Sequence, residues 1–419
     1  MIKRVKRVKR VNRINRAAAA VVTMAVGMGG TASAQCIEGD NNGDGVVNGI
    51  DLAIVIANWG NTCPAVIESV SPPSGVLAGG TEITITGQQL GGVQSVTIGG
   101  VPATNVMSVD ASTITAVTPP SKAQGPKDVV VTTTANSATL TDGFVYSPLA
   151  WALPLEFEPD PEVIADPEWR QRIIATGLPW RVQDLGTGIE MLLVPPGTFM
   201  MGCSPSNQYE CDSDETPVRE VTLTQAFYLG RYEVTQAQWT EVVGTNPSFH
   251  QSPSAEVPIA QILDRPVEEV SWDMIQGFEA ATGLRLPTEA EWEYACRAGT
   301  QTAYNLPPNG TNDDGLLDQV AWFSSNSAFQ TRPVGQKLAN NLGLHDMHGN
   351  VWEFCEDWYS SEYYTQGPTV DPPGPASGGP RVMRGGSHVG PAGRASSRND
   401  HPLNATVYTD IGFRAAKTP

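Results

Sequence analysis

Apolar and polar residues alternate with a period of two in the stretch 66–147. The runs Glu82–Gly87, Ser95–Gly99 and Asp128–Thr132 show this pattern, and turn residues separate them. In a strand, such alternation directs one set of side chains toward a core and the other toward solvent. Short strands at this spacing predict an immunoglobulin-like β-sandwich over residues 66–147.

A different pattern holds in residues 184–417, where glycine and proline are frequent and long periodic stretches are few. The strongest helix signal begins at Thr288 and ends at about Arg297. Thr288 can cap this helix and Glu291 stands three positions on, which is the spacing of a capping box. A weaker signal predicts a helix over Thr235–Val243, and the remainder predicts short strands and loops.

The N-terminus combines the features of an export signal. Residues 1–16 carry eight Lys or Arg, an apolar run extends from Ala17 to about Gly30, and Ala32-Ser33-Ala34 follows. This order predicts a signal peptide over residues 1–34. No later run reaches the ~18 apolar residues that a membrane span needs. We therefore expect an exported protein without a transmembrane segment, either secreted, periplasmic or on the cell surface.

Acidic residues dominate the chain, with 44 Asp or Glu against 26 Lys or Arg and a formal net charge of −18. A surface of this sign repels phosphate backbones, so a sequence-independent nucleic-acid function is excluded. Acidic residues and prolines also concentrate in residues 148–183, which predict a linker with one short helix from Pro167.

The cysteine count suggests disulfide bonds, because an exported chain with an even number of cysteines commonly forms them. Proximity along the chain favours two local pairs, Cys36–Cys63 and Cys203–Cys211. The other two cysteines, Cys296 and Cys355, either pair with each other or remain buried thiols.

A twelve-residue segment within residues 36–63 has the donor spacing of a calcium loop. Oxygen donors fall at alternate positions, and a glycine stands at the sixth position of the segment, where the chain must turn sharply. The predicted ligands are Asp40, Asn42, Asp44, the Val46 carbonyl, Asn48 and Asp51. The alternative is an Asx-rich turn. The phrase GDNNGDGVVNGIDL resembles a dockerin repeat, an EF-hand-like module. Dockerins normally carry two such loops and only one is found here, so cohesin docking does not follow directly.

Two further parts of the chain carry family resemblances. The segment VIESVSPPSGVLAGGTEITITGQQL resembles an IPT/TIG domain across residues 66–147. Downstream, MLLVPPGTFMMG, YEVTQAQW, RLPTEAEWEYACRAGT, GLHDMHGNVWEFCEDWY, RGGS and GFRAA occur in that order. They resemble the formylglycine-generating enzyme, or sulfatase-modifying factor, family across residues 184–417. The resemblance implies an α+β, C-type-lectin-like fold with little regular secondary structure.

The same resemblance implies an oxidase that converts a sulfatase cysteine to formylglycine with copper, O2 and two cysteines after the RGGS phrase. In this chain those positions correspond to Gly390 and Ala395, and no cysteine follows Cys355. Copper(I) is soft and favours thiolate ligands. We therefore do not expect copper, and catalytic residues are not assigned.

The rest of the family scaffold is retained. The resemblance implies a calcium site formed by the Asp346 and Glu353 carboxylates and the Gly349 and Val351 carbonyls. All four ligands are oxygen atoms, which calcium prefers. The alternative is that the two acids only cap a turn. Five residues keep family positions near a binding groove: Trp352, Ser387, His388, Arg398 and Arg414. Core packing or internal salt bridges are an equal alternative for each.

Three functions remain open from the sequence. The first is an exported, calcium-stabilised module that binds an extended peptide or a glycan, with a cell-surface or cohesin-like partner as a further possibility. The second is a genuine formylglycine-generating oxidase, for which Cys296 or Cys355 would have to reach the groove. The third is an accessory protein in polysaccharide degradation, which the dockerin-like loop suggests.

Overall fold

The computed structural model describes residues 64–204, 211–402 and 407–419. The predicted signal peptide, the predicted calcium loop with all six of its ligands, and the pair Cys36–Cys63 lie outside these ranges. The chain divides into two compact units, Met1–Tyr146 and Ser147–Pro419. Each unit has its own hydrophobic core, and the two cores share no residue.

The first unit is built from two sheets. One has the strand order β1-β3-β7-β6 and the other the order β2-β9-β8-β4-β5. The strands are β1 (Val66–Ser71), β2 (Ser74–Val76), β3 (Glu82–Gln88), β4 (Val93–Ile98), β5 (Val101–Pro102), β6 (Thr104–Ser108), β7 (Thr113–Val117), β8 (Gly125–Thr133) and β9 (Ser137–Ser147).

The alternation in the sequence explains how these sheets form a core. In β3, Ile83 and Ile85 are buried, whereas Thr84 is half-buried between them. In β8, Val129 and Val131 are fully buried. Because successive side chains of a strand point to opposite faces, each sheet offers one apolar face to a common core. The immunoglobulin-like prediction for this unit is confirmed.

The second unit is a mixed α+β fold with one five-stranded sheet (β10-β11-β12-β15-β20), one four-stranded sheet (β18-β17-β16-β19) and the two-stranded pair β13-β14. The strands are β10 (Ala152–Glu156), β11 (Arg181–Asp184), β12 (Glu190–Val194), β13 (Gly197–Met201), β14 (Arg219–Leu223), β15 (Phe227–Gly230), β16 (Trp352–Trp358), β17 (Pro380–Arg384), β18 (Asn399–Pro402), β19 (Ile411–Phe413) and β20 (Ala416–Lys417). The helices are α1 (Pro167–Ala175), α2 (Gln236–Val243), α3 (Trp272–Thr282), α4 (Glu289–Arg297) and α5 (Tyr363–Gln366).

Helix α4 forms as the capping box predicts. The Thr288 side chain accepts from the Glu291 backbone, and the Glu291 side chain accepts from the Thr288 backbone. Trp292 and Ala295 are fully buried, as expected for one face of a core helix. The eleven-residue helix α3 was not predicted, although Ser271 caps its start and Gly283 ends it in the left-handed conformation.

The segment predicted as a linker is part of the second unit, although its predicted helix from Pro167 is present as α1. Residues 148–183 belong to the second unit: β10 pairs with β11, and the α1 side chains Trp169 and Ile173 are buried in the main core. The segment is acidic and proline-rich overall, but its few large apolar side chains are placed to pack. Burial of apolar area therefore outweighs its linker-like composition.

No helix within the described ranges is both long enough and apolar enough to cross a membrane.

Candidate functional site

The turn after β17 positions the residues that follow the RGGS phrase. Gly386 has a φ of 78°, and a Cβ there would lie 2.4 Å from the backbone nitrogen of Gly393. Only glycine fits at such a close approach of two backbone segments. The loop that follows bends back on itself, and Gly386 forms an isolated bridge with Ala392.

This loop holds the two positions at which the oxidases carry cysteines. The Gly390 carbonyl accepts from the Ser324 backbone at 3.0 Å, and the Ala395 backbone donates to Ala303 at 2.7 Å. Ala395 is 1% exposed and belongs to the main core. Neither position offers a side chain that could bind a metal or attack a substrate.

The two remaining thiols cannot replace that chemistry. Cys296 and Cys355 are unpaired and fully buried. Loss of hydration raises the pKa of Cys296 to about 12 and the pKa of Cys355 well above its ordinary value. Both therefore remain protonated thiols at neutral pH. The residues present do not fit a copper centre of the thiolate type.

His388 lies at the centre of the same loop region. Its Nδ1 donates to the Asn350 carbonyl at 2.9 Å, which leaves the lone pair on Nε2. Its ring contacts the ring of His250 at a centroid distance of 5.1 Å. The Nε2 atoms of both rings are buried and have no hydrogen-bond partner within the part of the chain that the structure describes. Burial lowers the pKa of His250 to about 4 and also lowers that of His388, so both rings are neutral.

Three exposed apolar side chains belong to the segments that carry or contact this histidine pair. Phe249 contacts the ring of His250 and is 66% exposed. Val389 follows His388 and is 42% exposed. Phe329 is 63% exposed, and Ser327 Oγ in its loop donates to the His388 carbonyl at 2.7 Å. We call the residues Phe249, His250, Phe329, His388 and Val389 the His388 surface.

Two residues that the resemblance places near a groove are buried in ion pairs, which is the alternative that the sequence left open for them. Arg398 binds both oxygens of Glu289, at 2.5 and 3.0 Å. Arg414 is 0% exposed and binds both oxygens of Glu353, at 2.7 and 3.0 Å. A guanidinium that loses its water needs such a carboxylate partner, which fixes both arginines inside the scaffold.

The other predicted groove residues have smaller exposed areas than expected. Trp352 is half-buried and packs against the main core. Ser387 is 1% exposed, and its Oγ donates to Asp410 Oδ2 at 2.9 Å. His388 is also fully buried, at 0% exposed, and of the five predicted residues it is the one whose ring contacts His250.

The predicted calcium turn contains a buried carboxylate oxygen that no hydrogen bond from the described residues satisfies. Asp346 Oδ2 accepts from the Gly335 backbone at 2.7 Å, but Asp346 Oδ1 is buried and has no partner among the described residues. Glu353 Oε1 accepts from Arg414, and Glu353 Oε2 accepts from Arg414 and Trp292. An unpartnered carboxylate oxygen in a buried site is what an oxygen-binding cation would satisfy.

Glu233 adds a third carboxylate that the sequence did not indicate as a site residue. Its oxygens accept from Asn350 Nδ2 at 2.6 Å and from the Val351 backbone at 3.1 Å. Burial and the nearby charges of Asp346 and Glu353 raise its pKa well above the ordinary value. Burial also raises the pKa of Asp346 to about 6. Among the described residues, Asp346 Oδ1 is thus the carboxylate oxygen left available to a cation, whereas both oxygens of Glu353 are bonded to Arg414.

Cys203 and Cys211 are joined in a disulfide, with their Cα atoms 5.8 Å apart. Glu215 lies beside this bond and is fully buried, where it pairs with Arg394 at 2.6 Å. Bonded sulfurs do not serve as thiolate ligands, so this group is a structural clamp on the loop.

Several residues of the site carry no signal in the sequence. Glu233 lies within the phrase YEVTQAQW, but nothing in that phrase marks a buried carboxylate. Phe249, His250 and Phe329 come from two separate loops, and only the tertiary structure brings them to His388. Exposure of a phenylalanine cannot be inferred from a stretch without periodicity.

Known families and proteins match both units. The IPT/TIG domain family matches residues 65–147. The formylglycine-generating enzyme of Streptomyces coelicolor is 34% identical over 246 residues, which cover 47% of this chain and 77% of that protein. The formylglycine-generating enzyme of Thermomonospora curvata is 30% identical over 295 residues, which cover 57% of this chain and 95% of that protein.

A solved structure, the Treponema denticola variable protein 1, is 30% identical, with a TM-score of 0.48 and coverage of 55% of this chain and 95% of that one. The family described as sulfatase-modifying factor enzyme 1-like domain matches residues 181–419, more than half of the chain. This family match and the two formylglycine-generating enzymes identify the second unit: the chain belongs to the sulfatase-modifying factor family.

Proposed function

We propose that this protein is a non-oxidising member of its family that binds an extended peptide through the His388 surface. The observation that supports the proposal most directly is the chemistry around His388. Exposed apolar side chains surround the loop where the oxidases need thiolates, and both thiols of the second unit's core are buried and protonated.

The His388 surface has the properties of a peptide-binding site. Solvent-exposed Phe249 and Phe329 cost free energy in water, and covering them on binding recovers it. The histidine pair holds the floor rigid, because the buried His388 is anchored to Asn350 and the half-buried His250 is anchored through its backbone to Glu268 at 2.7 Å. A rigid apolar floor lowers the ordering cost of binding.

An oxidase is the alternative, and the donor set argues against it. Removal of electrons from a substrate thiol needs a redox centre, and the family's centre depends on two thiolates. Gly390 and Ala395 supply none. We derive no copper-dependent step for this chain.

Calcium is proposed as a structural ion of the second unit. Asp346 and Glu353 would hold it together with the carbonyls of Gly349 and Val351, and Glu233 would add negative charge nearby. Bound calcium supplies positive charge that neutralises these buried carboxylates. We also propose export through residues 1–34 and a second calcium site at residues 40–51, from the sequence patterns alone.

The peptide proposal is tested by display selection of random peptides on the full chain, followed by calorimetry of the selected peptides. We expect sequences with bulky apolar side chains. The double substitution Phe249→Ser with Phe329→Ser should weaken binding at least about tenfold, because burying a phenylalanine contributes roughly 1.5–3 kcal/mol. Leu185→Ser is the matched control, since Leu185 is 46% exposed and lies outside the surface.

A second assay addresses oxidation directly. The full chain is incubated with copper, O2 and a CxPxR-type peptide, and the products are analysed by mass spectrometry. We expect the peptide thiol to persist. An aldehyde product, or selected peptides that bind both variants equally, would refute the proposed function.

A further inference from the structure

A cavity of about 540 Å³ lies in the second unit, and it shares no lining residue with the His388 surface. Its size falls within the ~300–1,000 Å³ range of small-molecule sites. Helix α1 forms one wall, and the end of α4 with the loop that follows forms another. Because α1 precedes the family-matched residues 181–419, the cavity depends on the segment that the sequence suggested was a linker.

The inner wall of the cavity is aromatic. Trp169 and Phe199 both pack on Tyr294, with ring centroids 5.6 and 5.2 Å apart. Phe199 is half-buried and keeps part of its ring open, whereas Trp169 and Tyr294 are buried. This arrangement gives the cavity a rigid apolar wall of limited area.

A fixed donor stands against this wall. The Arg172 guanidinium lies 4.4 Å above the Trp169 ring, and its Nη2 donates to Tyr294 Oη and to the Pro196 carbonyl. These bonds hold the guanidinium in one orientation. They do not use Nε or Nη1, so Arg172 retains N–H donors for a ligand.

The rim offers further unused polar groups. Glu168, Gln301 and Asn309 are exposed, and their side chains have no hydrogen-bond partner among the described residues. An amide both donates and accepts, and a carboxylate accepts. The charged residues of the lining are Asp166, Glu168, Arg172 and Arg297, and Arg297 is paired with the buried Glu293. Charges of both signs are therefore present without a cluster of one sign.

We propose that this cavity binds a neutral oligosaccharide. Sugar hydroxyls donate and accept hydrogen bonds, which matches the amides, the carboxylate and the guanidinium of the rim. The apolar C–H face of a sugar ring matches the open part of Phe199. A mostly polar lining with one aromatic wall suits such a ligand better than it suits an apolar or ionic one.

The test titrates the full chain with neutral hexasaccharides of glucose, xylose and mannose by isothermal calorimetry. We expect at least one of them to bind with a dissociation constant below about 10 mM. The double substitution Gln301→Ala with Asn309→Ala should weaken that binding at least tenfold without lowering the melting temperature, because both side chains are exposed. Gln261→Ala, an exposed glutamine outside the cavity, is the matched control.

Three outcomes would overturn the proposal: no binding of any of the neutral sugars, equal binding by the double variant and the control, or tighter binding of a sulfated hexasaccharide than of every neutral one. Peptide binding is measured on the same double variant and should be unchanged. The two sites therefore succeed or fail separately.

Discussion

At the scale of single residues, buried charge organises the second unit. Arg384 is fully buried and reaches Glu293 at 2.5 Å and Glu289 at 3.2 Å. It also donates to the carbonyls of Ala395 and Ser396, in the loop that carries the family's catalytic cysteines elsewhere. The arginine of the RGGS phrase is therefore a structural residue that holds this loop, and it is retained although the cysteines are not.

Replacing this arginine should destabilise the protein strongly. Arg384→Met removes one of two cations from each of two buried carboxylates, since Glu289 keeps Arg398 and Glu293 keeps Arg297. We therefore expect the free energy of unfolding in urea to fall by about 3 kcal/mol. Arg285→Met is the matched control: Arg285 pairs with Glu291 but is 32% exposed, and its loss should cost less than about 1 kcal/mol. Equal losses in the two variants would contradict the structural role of Arg384.

His250 makes a pH-dependent contribution to stability. Its pKa is about 4 in the folded state and about 6.5 when unfolded, so the unfolded chain binds the proton first. The stabilisation by the neutral ring is complete above pH 6.5 and is lost as the pH falls toward 4. Between pH 6.5 and pH 4, we expect the free energy of unfolding to fall less for His250→Gln than for the wild type. Urea unfolding at each pH measures this difference. Parallel curves would show that His250 does not titrate in this way.

The proposed calcium ion should stabilise the second unit through Asp346. In proteins that carry Asp44→Asn, which removes one ligand of the N-terminal loop, calcium should raise the melting temperature and EDTA should lower it. Asp346→Asn should abolish this response, because it removes the unpartnered carboxylate oxygen. Asp273→Asn, at an exposed position, should retain it. A calcium-independent melting temperature with Asp346 intact would rule the site out.

At the scale of elements, caps decide where the short helices begin and end. Helices α2 and α4 both begin with a capping box, at Thr235 and Thr288, and α3 begins at the cap Ser271. Helices of this length are marginal alone, so their caps and their buried faces must act together. Trp239 of α2 stacks on Phe278 of α3 at 5.5 Å, which joins two of these helices in the core.

Loss of one cap should have a modest, measurable effect. Thr288→Ala removes the acceptor for the Glu291 backbone and should lower the free energy of unfolding by about 1 kcal/mol. Thr288→Ser keeps the hydroxyl and should remain close to the wild type. If serine and alanine destabilise equally, the methyl group rather than the cap is responsible.

At the scale of the whole molecule, the separate cores predict separate folding. The core of the first unit is formed by residues such as Ile85 and Phe144, and that of the second by residues such as Trp292 and Phe354. Since no core residue is shared, a fragment of residues 147–419 should fold alone. Its melting temperature should match one transition of the full chain in calorimetry, whereas a fragment of residues 184–419 should be destabilised because it lacks β10 and α1. Equal stability of the two fragments would contradict the packing role of α1.

Features that depend on near neighbours in the chain were predictable without the fold. Strand alternation in residues 66–147 and the Thr288 capping box act between near neighbours, so they could be read without the fold. The missing thiols could be read in the same way, because no fold can create a cysteine at Gly390 or Ala395. The family phrases added the overall architecture of residues 184–417.

Only the tertiary structure decided the rest, because burial and partners depend on residues far apart in the chain. Arg398 and Arg414 look like groove residues in the sequence and are buried ion-pair partners in the fold. Residues 148–183 have the composition of a linker but supply a strand and a helix to the core. Composition reports average polarity, whereas packing depends on the few side chains that meet an apolar surface.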